Sequence, residues 1–147
     1  MKIVFAALVA VTIPFAVLAQ VDDCKSGEGY VAAQAEIDRS LSEVKDSAAV
    51  SRIASKLAAL GWSEDRQKDA INAVFSSAPT AGLQKERRAH LAALSDAVVS
   101  SSGPDPRVSK CQAARQVNSL AVRIVALDRQ IYDHAARGIG ITVDAGR

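Results

Sequence analysis

From Tyr30 onward the apolar residues of this chain recur at three- and four-residue steps, the spacing that puts them on one side of a helix. In YVAAQAEIDRSLSEV the stripe is Tyr30, Ala33, Ile37, Leu41 and Val44. SAAVSRIASKLAALG repeats it with Val50, Ile53, Leu57 and Leu60, and Gly61 follows as a natural helix stop. Ser63 is placed to cap a third helix, SEDRQKDAINAVF, with Ala70, Ile71, Val74 and Phe75 as its apolar face and Pro79 as its terminator. Thr80 then caps a fourth, TAGLQKERRAHLAALSDAVV, whose core face is Leu83, Leu91, Leu94, Ala97 and Val98. SSSGPDP reads as a linker-like loop over 100–106. Asp105 as N-cap and Pro106 at the first helical position open the longest helix, which ends before Gly138. Its seam is heptad-like: Val117, Leu120, Ile124, Leu127, Ile131 and His134, with Gln116, Ser119, Arg123, Gln130, Asp133 and Arg137 on the far side. No strand-like alternation of any length precedes the tail GIGITVDAGR. The expected fold class is all-α: a compact bundle of about five helices with short connections.

The start of the chain breaks this pattern. MKIVFAALVAVTIPFAVLAQ has a positive residue, Lys2, and an apolar run from Ile3 to Leu18. Val17 and Ala19 are small residues placed for a cut before Gln20. That is the secretory leader pattern, giving a signal peptide over 1–19 and a single helical domain over 20–147. Pro14 argues against the rival, an uncleaved anchor. Expected localisation is periplasmic or secreted, with no membrane insertion after cleavage.

Composition narrows the function classes. The chain of 147 residues is 49% hydrophobic and 23% charged, an ordinary globular balance. Losing Lys2 from its 18 Lys and Arg leaves 17 against 16 acidic residues, a net charge of +1. So weak a field gives nucleic acid nothing to follow. Aromatics are few and alanine abundant, so each core position buries little area and a covalent staple is useful. Cys24 and Cys111 are the two cysteines. VDD before Cys24 is unlike the small-residue box of a lipid anchor. An intrachain Cys24–Cys111 disulfide is therefore expected in an oxidising compartment, with an interchain bridge or a reactive thiol as alternatives that lack a supporting motif.

Candidate chemistry is sparse. His90 and His134 have no metal-ligand spacing, and His134 continues the apolar seam as a core-end residue. No serine lies in a G-x-S-x-G elbow. Glu64 and Asp65 suit a helix's first turn better than acid–base chemistry. QKERRAH gathers Lys85, Arg87 and Arg88 as a solvated helix face paired with Glu86, or, since the helix dipole disfavours cations there, as an anion-binding patch. Trp62 is the best single interface anchor if exposed.

Two short stretches carry resemblances. LAALGWSEDRQKDAI resembles the turn of ubiquitin-associated three-helix modules, through helix-stop and helix-start chemistry over 15 residues. LAVRIVALDRQIYDHAARG is similar to the first helix of helical chorismate mutases over 19 residues. It departs from that family by lying C-terminal, without the arginine- and lysine-bearing helices that follow there.

The reading is a small exported binding module without catalysis, cofactor or metal, of the immunity-protein or enzyme-inhibitor kind. Its partner is another periplasmic protein, and its contacts are Trp62, Lys85, Arg87 and Arg88. The alternatives are a self-associating envelope protein, a homodimer through the last helix's seam, and a helical-bundle enzyme or small-ligand carrier.

Overall fold

A computed structural model describes residues 24, 26–104 and 106–141. The expected signal peptide over 1–19 and its cut before Gln20 lie outside the described residues, as does Asp105. The described chain forms five helices: α1 Gly27–Ser47, α2 Ala49–Ala59, α3 Glu64–Phe75, α4 Ala78–Ser100 and α5 Lys110–Ile139. Cys24 and Cys111 are joined by a disulfide. The all-α class, the five helices and the staple are as the sequence pattern predicts.

Helix α5 is the spine, and each of the other four helices packs on it. Helix α1 runs parallel to it: Gly29 lies beside Cys111, Glu36 bonds Asn118, and Ser47 bonds Asp128. Helix α4 runs the other way, since Arg87 meets Asp128 while the Val108 N–H donates to the Ser100 carbonyl at α4's far end. Two core clusters lie along the spine. The first joins Ala33, Ile37 and Val44 of α1 with Leu94 and Ala97 of α4 over Cys111–Ile124. The second joins Ala49, Ile53 and Leu57 of α2 with Ile131, Tyr132, Ala135, Ala136 and Ile141.

The boundaries follow local chemistry, in places unlike the sequence expectation. Helix α5 begins at Lys110, later than a cap at Asp105 implies, because the Ser109 hydroxyl accepts from the Gln112 N–H at 3.1 Å and takes over the cap. It passes Gly138 and stops at Gly140, whose φ of +78° is left-handed. Gly138 instead faces Val74, whose Cγ2 would lie 3.2 Å from an added Cβ. Helix α4 is entered from Ser77, so Pro79 sits in its first turn and Thr80 is buried inside it. Ser63 precedes α3 without a side-chain cap bond.

Val117, Ile124, Leu127 and Ile131 of the expected α5 seam are buried, and the correction falls on Leu120 and His134. The buried line is Ala114, Val117, Ala121, Ile124, Asp128, Ile131 and Ala135, still alternating three and four apart. Leu120 is only partly buried and His134 is exposed, so His134 is no core-end residue. Close helix packing selects the small alanines for the contact line and leaves Leu120 at its margin. Tyr30, Val50 and Leu60 are also more exposed than their stripes suggest, at 51%, 47% and 57%. Helix α2 is covered along one side, and Ala49, Ile53 and Leu57, four residues apart, take all of it.

Candidate functional site

An aspartate in the core seam has to be accounted for. Asp128 is 1% exposed, and burying a carboxylate is costly unless it is paired and hydrogen-bonded. Three elements supply its partners. Arg87 of α4 donates through Nε to Oδ1 at 2.8 Å, and the Ala49 N–H donates to the same oxygen at 3.2 Å. The Ser47 hydroxyl reaches Oδ2 at 3.3 Å. Helix α2 needs this, because its N-cap residue is Ala48, which has no side-chain oxygen to offer. Asp128 therefore caps α2 from another helix and also ties α1, α4 and α5 at one point.

This junction is flanked by two concavities. One is a half-open cavity of about 160 Å3 lined by Ala48, Ala49, Val50, Phe75, Gln84, Arg87, Asp128 and Ile131. Gln84 is held there by donating to the Phe75 carbonyl at 3.2 Å. The other is a wide cleft of about 620 Å3 on the polar face of α2. Lys45, Arg52 and Lys56 line it with Ser51, Ser55, Ala59 and Tyr132, against one carboxylate, Asp46. The Arg52 guanidinium lies 4.2 Å over the Tyr132 ring, which fixes one cation by stacking and leaves its edge for other partners.

The contact residues expected from sequence separate in the structure. Arg87 is half-buried, with its Nε spent on Asp128. Lys85 and Arg88, its neighbours in sequence, are exposed on α4. Trp62 is half-buried against the second core cluster, and Arg66 covers it with its guanidinium 3.6 Å from the ring. Glu64, Asp65 and Asp69 are exposed on α3, and His90 lies 3.8 Å from Glu86. Among the described residues no group of three or more His, Cys, Asp or Glu could hold a metal ion.

Asp128 and the α2 cations were missed by sequence reasoning for different reasons. The cations Arg52 and Lys56 are four apart, an ordinary solvated spacing, and only the bend between α1 and α2 brings Lys45 beside them. For Asp128 a signal does exist. A strict three–four continuation through Val117, Ala121 and Ile124 lands on it, and α2 lacks a capping side chain of its own.

The disulfide suits an oxidising, extracellular-type environment. Among the described residues no helix is long and apolar enough to cross a membrane. Comparison with protein-family models, curated proteins and solved structures finds no match to this chain.

Proposed function

We propose that the protein is a small exported, non-catalytic binding module that caps an acidic surface of another protein in the periplasm, in the manner of an immunity protein or enzyme inhibitor. The observation that carries this reading is the α2 cleft: three cations and three hydroxyls face one carboxylate across about 620 Å3. A concave, cation-lined surface suits a protruding acidic segment, with electrostatics setting encounter rate and specificity. Two features favour a rigid receptor. Asp128 fixes the start of α2, and Tyr132 backs Arg52. The leader sequence and the staple support an exported setting.

The test is capture from periplasmic extract by the wild type and by a double variant, Arg52→Glu with Lys56→Glu, with native mass spectrometry of what is retained. The expected result is a stoichiometric complex with the wild type, weakened by added salt and lost in the variant, which keeps its helical circular dichroism. A complex that survives both the charge reversal and high salt sinks the assignment of this face. No complex under any condition sinks the binding-module reading itself.

A further inference from the structure

The half-open cavity beside Asp128 has a chemistry of its own, unlike the α2 cleft. Its walls combine the aliphatic and aromatic surfaces of Ala48, Val50, Phe75 and Ile131 with the Gln84 amide and one ion pair, Arg87 with Asp128. Arg87 spends its Nε on Asp128, while Nη1 and Nη2 donate to no described residue. A guanidinium offers its N–H groups as a planar fork, and a pair of them matches a carboxylate's two oxygens. The Asp128 contact holds that fork in place, so its remaining donors are pre-oriented. We propose that this cavity binds a small aliphatic monocarboxylate of three to five carbons, with its carboxylate on Arg87 and its chain against Val50, Phe75 and Ile131.

Size sets the length. A cavity of about 150 Å3 accommodates a molecule the size of benzene, about six heavy atoms. The cavity here is about 160 Å3, and butyrate has six heavy atoms. Each added methylene that fits should tighten binding about fourfold. A chain beyond five carbons runs out of cavity and loses that gain. Charge is required as well as shape, so butyramide, of nearly the same volume, should bind at least tenfold more weakly.

The experiment is titration of the full mature chain with acetate, propionate, butyrate, valerate and octanoate, followed by two-dimensional amide NMR and calorimetry. Butyrate is expected to bind with a Kd of roughly 0.1–1 mM. Its shifts should centre on Ala49, Val50, Gln84, Arg87 and Ile131, and affinity should peak at four or five carbons. Arg87→Lys keeps a cation beside Asp128 but loses the fork, and should weaken butyrate at least tenfold. Should that variant unfold, Val50→Glu serves instead. Val50 is 47% exposed, so the change is tolerated and places a competing carboxylate at the cavity's rim. Absence of shifts at 10 mM butyrate, affinity independent of chain length, or shifts centred on Lys45, Arg52 and Lys56 would each overturn the proposal.

Discussion

Replacing Arg87 by Met tests whether the buried polar junction holds the bundle together. The substitution keeps most of the side chain's packing and removes its charge. Asp128 stays in place with its side chain 2% exposed, retaining only the Ala49 N–H and the Ser47 hydroxyl. Breaking a fully buried ion pair by removing one partner costs about 3–5 kcal/mol. The Arg87 side chain is 22% exposed, so water already screens the pair and can follow into the vacated space. We therefore expect a loss of about 2–3 kcal/mol for Arg87→Met. Asp128→Leu leaves the Ala49 N–H unpaired and should cost about 1–3 kcal/mol. In the double variant no charge is stranded. The Ser47 hydroxyl still bonds the Val44 carbonyl, and the uncapped Ala49 N–H is what remains, costing about 1–2 kcal/mol. The double variant should thus be more stable than the sum of the singles by about 3 kcal/mol. Urea unfolding followed by circular dichroism and by Trp62 fluorescence measures all four proteins, with the slope expected to stay constant. An Arg87→Met midpoint within about 0.5 kcal/mol of wild type, or strict additivity, would refute the reasoning.

Four further outcomes can be checked in the same assay. Reducing the disulfide, or replacing Cys24 and Cys111 together by Ser, opens a closure of 87 residues and should cost about 4–5 kcal/mol on the chain-entropy account. The seam register predicts that Ala121→Leu, at a residue 1% exposed, overpacks α5 and loses about 1–3 kcal/mol. By the same logic Ile124→Ala should cost about 2–5 kcal/mol and Leu120→Ala distinctly less, and equal losses would put the seam back on Leu120. Gly140→Ala forces a side chain into φ +78° and should cost about 1 kcal/mol, seen as a lowered midpoint with unchanged helicity.

Helix number and order were legible because each rests on a signal local to its own segment, and the staple because the chain has two cysteines to pair. Ala33, Ile37, Ile53, Leu57, Leu94 and Ile124 are buried where their three–four spacing places them. Ends were less legible, since several residues compete for each role. Asp105 with Pro106 and Ser109 both make plausible starts for α5, and the bond from the Gln112 N–H selects Ser109. The seam was misread at Leu120 and His134 for a deeper reason. A hydrophobicity pattern weights Leu120 over Ala121 and rejects Asp128 outright, yet close-packed helices favour the small side chain at the contact line. They accept the carboxylate because a neighbouring helix lacks a cap and another carries an arginine. Both of those facts are tertiary. QKERRAH misled in the opposite direction: it looked like one cationic patch, but one helical turn points Arg87 inward while Lys85 and Arg88 face water.

The two fastenings of α1 lie at opposite ends of it, and this has a functional consequence. At its start the disulfide joins Cys24 to Cys111 in the first turn of α5, within the first core cluster. At its end Ser47, with Ala49 of the next helix, is held by Asp128. The cleft and the cavity both border this second fastening, remote in sequence from the staple. Loss of the disulfide should therefore weaken the whole domain while leaving the α2 corner, in those molecules still folded, able to bind. Loss of Asp128 should do the reverse, loosening Lys45, Arg52 and Lys56 relative to one another at a smaller cost in global stability. Amide hydrogen exchange separates the two. Protection in α2 should fall more than in α1 for Asp128→Leu, and the staple variant should lose protection first around Gly29 to Ile37. A uniform loss in both variants would mean that the two core clusters open as one unit and that the corner has no independent support.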